Sequence, residues 1–169
     1  MTEEIFDVCD AEDRVTGTAP RRIVHATGLL HRAVHIWVFN SQGELLLQQR
    51  TATKDEFPNC FTSSASGHVD SGETYEHAAN RELLEELGLS GELEWLHKLP
   101  ASRDTANEHT VLYRLISDSP PVPDPGEIAA IEFLPPAVIL KRMEQDPELF
   151  TPPFRMLMTW WHQSGFTGE

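Results

Sequence analysis

Residues 67–89 read GHVDSGETYEHAANRELLEELGL, and the segment RELLEEL near the end of this stretch contains Glu82, Glu85 and Glu86. Side chains three and four positions apart are neighbours on a helix, so these carboxylates would crowd one helix face. Crowded carboxylates repel one another unless a cation is present, and oxygen ligands of this kind suit Mg²⁺ or Mn²⁺. The stretch therefore predicts a divalent metal site on a helix.

The same stretch contains signals that delimit the helix and orient its carboxylates. Thr74 is suited to cap the N-terminus of the helix, and Gly88 is suited to end it. Gly67 lets a backbone carbonyl approach a metal because no Cβ intrudes. Arg81 is placed to orient acidic neighbours such as Glu73 through bidentate contacts. We expect a loop–helix–loop in which Gly67 joins the carboxylates around the metal.

This spacing resembles the Nudix box at every position: a glycine, five residues, Glu73, seven residues, REL, one residue, EE, one residue and GL. The resemblance implies an α/β (α+β) fold, namely a Nudix-type α/β/α sandwich with a mixed sheet. It also implies a metal-dependent hydrolase that cleaves the diphosphate linkage of a nucleoside diphosphate joined to a moiety X. The general base varies within this family and is not assigned. By resemblance, the metal ligands map onto Glu82, Glu85 and Glu86, which the backbone of Gly67 would join, and catalysis is assigned to these glutamates and Arg81.

Outside the box, the chain is similar to the isopentenyl-diphosphate isomerase branch of the same superfamily. The shared segments include LLHRA at residues 29–33, LLQQR at residues 46–50 and SGH at residues 66–68. In those isomerases a cysteine that transfers a proton at carbon stands where this chain has Ser66, and serine is a far weaker acid. The intact pair of glutamates at positions 85 and 86 also favours hydrolysis. By resemblance, further metal ligands would be His25, His31 and His68, and Glu108 would serve both metal and proton transfer.

Two alternatives to hydrolysis stay open at this point. One is an isomerase acting on a five-carbon prenyl diphosphate, against which the identity of Ser66 argues. The other is a Nudix fold that binds a ligand or partner without catalysis, against which the intact box glutamates argue. The sequence does not identify the moiety X.

Further candidate residues lie in the flanking segments. Phosphate contacts are assigned to Arg32, Arg50 and Lys54, because the chain has few cations and these flank the expected site. Glu127 and Glu132 are both candidates for an additional carboxylate, and the sequence does not choose between them. The loop 102–108 is expected near the substrate entrance, whereas the tryptophans at positions 160 and 161 are expected to pack in the core or at a dimer contact.

The composition restricts the partners. With 27 acidic and 13 basic residues in 169, the formal net charge is −14, which disfavours nucleic acid polymers and favours a small diphosphate-containing substrate held through cations. We expect one Nudix domain over residues 1–169, with no membrane span and no signal peptide, and hence a cytoplasmic protein. The two cysteines, Cys9 and Cys60, are expected to be buried thiols rather than a disulfide. The resemblance leaves a homodimer open.

The order of secondary-structure elements is expected to follow the hydrophobic pattern. Residues 33–39 and 44–50 predict a β-hairpin around the turn at residues 40–43. Four prolines within residues 120–125 predict a loop. Terminal helices are expected over about residues 135–145 and 151–163. The other expected strands are residues 4–10, 61–66, 92–99, 109–116 and 128–134.

Overall fold

A computed structural model describes residues 2–166; Met1 and residues 167–169, which belong to the expected domain range 1–169, lie outside the described residues. The chain forms nine strands and four α-helices in this range, together with a short 3₁₀ turn at Pro147–Leu149. The helices are α1 (Arg21–Thr27), α2 (Tyr75–Leu87), α3 (Pro136–Gln145) and α4 (Pro152–Ser164). The strands are β1 (Ile5–Cys9), β2 (Val15–Pro20), β3 (His31–Phe39), β4 (Leu45–Arg50), β5 (Phe61–Thr62), β6 (Ala65–His68), β7 (Glu94–Leu99), β8 (Glu108–Ile116) and β9 (Ile128–Leu134).

Seven strands form one mixed sheet in the order β5-β4-β3-β8-β7, with β6 also paired to β3 and β9 to β4. Strands β3 and β8 run parallel, while the other pairs in this sheet are antiparallel. Strands β1 and β2 form a separate antiparallel pair. The mixed sheet that the sequence predicted is therefore confirmed.

The expected hairpin between β3 and β4 is confirmed at its turn, but its strands separate directly after it. The two strands share only the register pair of Phe39 with Leu45 within the described chain. Strand β4 instead pairs with β9 along its length, and residues 33–36 of β3 pair with β6. Beyond the turn, each strand pairs with segments that are more distant in the sequence, which a local turn signal does not predict.

Helices cover both faces of the sheet, which gives the expected sandwich. Helix α2 packs Ala79, Leu83 and Leu87 into one buried cluster with alternate residues of β3. Helices α3 and α4 pack on a second cluster that contains Trp37 and Phe39. Burial on both faces explains why β3 has an almost continuous apolar sequence.

The helix of the box has the predicted ends. The side chain of Thr74 accepts a hydrogen bond from the backbone N–H of His77 at 3.1 Å, and Gly88 ends the helix with φ of 63°. This left-handed conformation is one that glycine adopts without steric cost. The cap fixes the first turn, and hence the direction in which the carboxylates project.

Two elements near the N-terminus were not predicted, namely β2 and α1. Strand β2 is mostly exposed and its sequence, VTGTAP, lacks an apolar alternation, while α1 has only seven residues. These elements follow from contact with β1 rather than from a strong local pattern. No helix of the described chain is long and apolar enough to cross a membrane.

Of the tryptophan and cysteine side chains expected in the interior, some are buried and others are only partly buried. Trp161 belongs to the buried cluster under α4, whereas Trp160 stacks on His97 with ring centroids 4.2 Å apart. Cys9 is a buried free thiol, while Cys60 is a half-buried one. The expectation of burial is therefore correct for Cys9 and too strong for Cys60.

Candidate active site

One cavity of about 310 Å³ lies where α2, β3 and β6 meet. It receives side chains from segments that are far apart in the sequence, and most of them are charged or polar. Lining residues singled out from the sequence are Arg50, Lys54, Ser66, Gly67, His68, Arg81, Glu82, Glu85, Glu86, Glu108 and Glu127.

Glu86 is the most enclosed of the box carboxylates, at 4% exposure. Its Oε2 accepts the backbone N–H of Ser66 at 3.0 Å, and its Oε1 accepts the side-chain amide of Gln48 at 2.9 Å. Burial raises the pKa of Glu86 well above its ordinary value, and the repulsion of Glu82 adds to the effect. These two hydrogen bonds hold the carboxyl group of Glu86 in place, although the group is shielded from water.

Glu82 lies beside Glu86 and is under a similar electrostatic penalty. Burial raises the pKa of Glu82 to about 7 although the neighbouring Arg81 opposes the shift. Glu85 differs, because 59% of its side chain is exposed. The helix therefore presents two enclosed carboxylates and one at the cavity rim.

Arg81 connects the box helix to the preceding loop. Its Nε and Nη2 donate to the two carboxylate oxygens of Glu73 at 2.9 and 2.8 Å, which is the bidentate contact predicted from the sequence. Its Nη2 also donates to the carbonyl of His68 at 3.0 Å, and its Nη1 donates to Glu82 at 2.8 Å. Arg81 thereby fixes Glu82 relative to the loop.

Gly67 leaves space for the carboxylate of Glu82. A Cβ at this position would lie 2.2 Å from Cδ of Glu82, closer than two carbon atoms can approach. The backbone of β6 and the carboxylate of α2 therefore lie in direct contact. This contact places the Gly67 backbone and the carboxylate together, as the sequence pattern predicts for a shared metal.

The three histidines singled out from the sequence come together beside the cavity, and His68 is the one that lines it. His25 on α1, His31 on β3 and His68 on β6 offer ligand atoms that all lie within 4.8 Å of one another. Phe6 of β1 is fully buried against two of them, with ring centroids 5.6 Å from His31 and 4.6 Å from His68. The N-terminal elements thus complete a cluster whose other members lie in the main sheet.

The hydrogen bonds of His31 leave one ring nitrogen available. Its Nδ1 donates to the carbonyl of Leu29 at 2.9 Å, so the neutral ring has its lone pair on Nε2. This Nε2 is buried and has no hydrogen-bond partner within residues 2–166, the nearest carboxylate oxygen being that of Glu108 at 3.5 Å. A buried lone pair without a partner fits a metal ligand.

Glu108 faces the histidines from the start of β8. Its Oε1 accepts a hydrogen bond from His68 Nε2 at 3.0 Å. Burial raises the pKa of Glu108, but the hydrogen bond and charge of the His68 imidazole are among the effects that outweigh burial and hold it below its ordinary value. An ionised Glu108 within the histidine cluster fits the same cation that the imidazoles would bind.

The loop before β8 has an unusual backbone. Ala106 and Asn107 both adopt positive φ, at 57° and 62°, although neither is glycine. The carbonyl of Asn107 accepts the backbone N–H of His31 at 3.1 Å, and Ala106 lines the cavity. In the loop 102–108, which the sequence analysis expects near the substrate entrance, Ala106 and Glu108 line the cavity.

The three cations assigned to phosphate from the sequence do not share one location. Arg50 and Lys54 line the cavity, but Arg32 does not. Arg32 alternates with His31 along β3, so it projects from the other face, where its Nε donates to Asp13 at 2.7 Å. The assignment of Arg32 to substrate is therefore corrected to a structural contact. Arg21 of α1 lines the cavity instead, although no sequence pattern singled it out.

The structure distinguishes the two glutamates between which the sequence did not choose. Glu127 lines the cavity and forms an ion pair with Lys54. Glu132 lies on β9 and pairs with Arg142 at 3.3 Å, outside the cavity lining. Asp124, in the proline-rich loop, also lines the cavity and was not singled out. Its position follows from a backbone hydrogen bond to Glu86 at 2.8 Å, a contact with no sequence signal.

The mixed sandwich and the box carboxylates define a protein of the Nudix class. The family model described as the NUDIX domain matches residues 29–154, and the chain belongs to this family. The elements β1, β2 and α1, which supply Phe6 and His25 to the site, precede the matched range.

Two kinds of curated relative are similar to the chain. The isopentenyl-diphosphate Delta-isomerase of Nocardia farcinica is 35% identical over 153 residues, covering 86% of this chain and 87% of that protein. An uncharacterized Nudix hydrolase of Streptomyces coelicolor is 45% identical over 89 residues, covering 53% of this chain and 49% of that protein. The resemblance to both branches is therefore confirmed, and the relatives do not decide between hydrolysis and isomerisation.

Solved structures support the fold. DR0079 from Deinococcus radiodurans has a TM-score of 0.76 at 31% identity, covering 85% of this chain and 90% of that one. The Nudix domain of Shewanella oneidensis NrtR, solved with ADP ribose, has a TM-score of 0.62 at 20% identity, covering 78% and 86%. The second likeness concerns the fold alone.

Proposed function

We propose that this protein is a metal-dependent Nudix hydrolase that cleaves the diphosphate linkage of a nucleoside diphosphate joined to a moiety X. We propose a single domain for this activity, over residues 1–169. The observation that carries the proposal is the meeting of Glu82 and Glu86 with the cations Arg50 and Lys54 in one cavity. Carboxylates and cations together suit a diphosphate bound through a metal on one side and through basic side chains on the other.

The enclosed carboxylates fit a divalent cation. Two carboxyl groups whose pKa values are raised by burial and mutual repulsion are poorly accommodated without a positive charge between them. Their oxygens, with the backbone of Gly67 and the rim carboxylate Glu85, would hold Mg²⁺ or Mn²⁺. Such an ion, when bound, neutralises phosphate charge and activates water.

The histidine cluster fits a second cation. His31 Nε2 is a buried lone pair without a hydrogen-bond partner in the described chain, and His25 and His68 lie within reach of the same point. Imidazole nitrogens with the carboxylate of Glu108 suit a transition metal such as Mn²⁺ or Zn²⁺. Its occupancy is a separate proposal from that of the box, because the ligand atoms belong to different side chains.

The remaining lining residues would act on the diphosphate directly. Arg50 and Lys54 supply positive charge to the phosphoryl oxygens, and Arg50 is steadied by a hydrogen bond from its Nε to the Glu56 carbonyl at 3.1 Å. Lys54 is paired with Glu127, so an arriving phosphate would compete with this carboxylate. Arg81 positions Glu82 rather than touching the substrate, since its donors are already engaged.

Isomerisation of a prenyl diphosphate is the second candidate. It is favoured by the assembled histidine cluster with Glu108 and by the isomerases of similar length among the relatives. Ser66 stands against it, because its hydroxyl is a much weaker acid than the cysteine of that branch. Double-bond migration without phosphate release would support this candidate, and a gain of that activity in Ser66→Cys would explain it.

A substrate panel tests the proposal. Nucleotide sugars, dinucleotides, nucleoside diphosphate alcohols, nucleoside triphosphates and prenyl diphosphates are incubated with Mg²⁺ or Mn²⁺, and product release is followed by phosphorus NMR. Glu86→Gln and Glu82→Gln are expected to abolish turnover with the fold intact. Glu132→Gln is the matched control, because it removes a carboxylate outside the cavity. Full activity in both box variants contradicts the assignment.

A non-catalytic binding role would give a different result. Tight binding of a panel member without turnover, in both metals, would indicate a ligand-binding module. The intact carboxylates Glu82, Glu85 and Glu86 argue against that outcome. The cytoplasmic location and the homodimer stay predictions.

A further inference from the structure

His35 is a cavity residue to which the proposed chemistry assigns no role. It lies on β3 four residues after His31, so the two side chains project from the same face of the strand. Its side chain lines the cavity yet is almost fully buried, at 5% exposure. In the strand register it stands opposite Ser66, the residue that precedes the box. The hydrogen bonds of the buried His35 ring indicate what this side chain can contribute to the cavity.

Two side chains, Trp37 and His35, form hydrogen bonds with the hydroxyl of Ser63. Trp37 Nε1 donates to Ser63 Oγ at 2.9 Å, and His35 Nδ1 lies 2.6 Å from the same oxygen. An indole N–H can only donate, so Ser63 Oγ accepts this bond. Within residues 2–166, the hydroxyl proton of Ser63 has no side-chain or backbone acceptor other than His35 Nδ1.

This arrangement fixes the tautomer of His35. If Nδ1 carried a proton, the fully buried hydroxyl of Ser63 would keep its own proton without an acceptor, which is unfavourable. The hydroxyl therefore donates to Nδ1, and the ring proton lies on Nε2 at the other end of the imidazole. Burial also lowers the pKa of His35 to about 4, so the ring is neutral near neutral pH.

His31 and His35 thus have opposite tautomers on one strand face. His31 has its proton on Nδ1 and its lone pair on Nε2, because Leu29 accepts from Nδ1. His35 has its proton on Nε2, which has no protein partner among the described residues. The first ring is suited to bind a cation, and the second is suited to donate a hydrogen bond to an anion.

We propose that His35 Nε2–H donates a hydrogen bond to a phosphoryl oxygen of the bound diphosphate, and that Ser63 and Trp37 are the positioning residues that fix this donor. The inference rests on the proposed function and adds a residue to it. A neutral donor differs from Lys54, because it has no charge for a cavity carboxylate such as Glu127 to pair with. It therefore contacts the phosphate without competition from the acidic lining.

Three substitutions at position 35 separate this role from packing. Glutamine places an amide N–H near the position of Nε2, whereas asparagine reaches only as far as Nδ1 and keeps the bond to Ser63. Phenylalanine keeps the ring without either nitrogen. Binding of methylenediphosphonate, a diphosphate that hydrolysis cannot cleave, is measured by calorimetry in Mg²⁺.

We expect His35→Asn and His35→Phe to weaken binding about tenfold to a hundredfold, as loss of a hydrogen bond to a charged group implies. His35→Gln is expected to stay within about threefold of the wild type. Ser63→Ala should weaken binding in the same direction, and adding it to His35→Phe should have no further effect. Equal binding by all variants overturns the inference.

Nitrogen NMR of labelled protein reads the tautomer without substrate or turnover. The expected spectrum has His35 protonated at Nε2 alone, with the signal moving when methylenediphosphonate binds. A proton on Nδ1, or a doubly protonated ring near neutral pH, overturns the inference. If the wild type turns over a panel substrate while His35→Phe binds methylenediphosphonate as tightly as the wild type, that result overturns the inference and leaves the proposed function standing. Absence of diphosphonate binding by the wild type, with no turnover, overturns both.

Discussion

Replacing Glu82 by glutamine is expected to stabilise the metal-free protein near neutral pH. Burial raises the pKa of this carboxyl from 4.5 to about 7 in the fold, so the folded chain binds its proton more tightly than the unfolded chain. The resulting stability is fully present below the unfolded pKa and is lost as the pH rises through the folded one. Glutamine is isosteric and does not ionise, so it avoids that loss.

The size of the effect follows from the two pKa values. Between about pH 5 and about pH 7.5, a single site of this kind lowers the free energy of unfolding by about 2 kcal/mol. The glutamine variant keeps this free energy. It also removes the repulsion that contributes to the raised pKa of Glu86, which acts in the same direction. The difference between the two proteins is therefore expected to grow with pH.

Urea unfolding with EDTA at both pH values measures this difference. Glu132→Gln serves as the control, because its carboxylate is exposed and pairs with Arg142 outside the cavity. Mg²⁺ should stabilise the wild type, by about 2.7 kcal/mol at a hundredfold excess over Kd, and should stabilise Glu82→Gln much less. Parallel loss of stability in wild type and Glu82→Gln on raising the pH would refute the reasoning.

Three further predictions concern the same cavity. Gly67→Ala should abolish turnover and metal binding in calorimetry, because its Cβ would lie 2.2 Å from Glu82 Cδ; unchanged metal affinity contradicts this. Arg81→Lys keeps the charge but loses the bidentate contact with Glu73, so the free energy of unfolding in urea should fall by about 1–3 kcal/mol; an unchanged midpoint counts against it. Lys54→Met should raise KM for the best panel substrate about tenfold or more with the fold intact, and an unchanged KM would remove Lys54 from the site.

Local patterns predicted the parts of this site that lie within one element. The helix with Glu82 and Glu86 was recognisable because a period near 3.6 residues and two caps are encoded in consecutive residues. The contact of Arg81 with Glu73 was predicted for the same reason, since the box is one continuous loop–helix segment. Arg32 shows the limit of proximity in sequence, because it is adjacent to His31 yet projects from the opposite face of β3.

Contacts between distant segments were less predictable. The short helix α1 has too few residues to give a periodic signal, so Arg21 was missed. Gln48 was not noticed as a partner of Glu86, since an amide within a strand has no distinctive pattern. Glu127 and Glu132 have the same chemistry in sequence, and only the pairing of β4 with β9 and the loop before it separates them.

The sequence by itself determined the class of protein, the helix that carries the box carboxylates and the residue types available to a cation. These depend on the spacing of side chains along one helix and on turn residues beside it, which are local properties. The resemblance grouped His25, His31 and His68 with Glu108, but only the tertiary structure gave their distances. The tertiary structure alone brought Ser63 to the side chain of His35. Such meetings depend on strand pairing and register, as in the parallel pair of His31 with Glu108, which the whole sheet determines cooperatively.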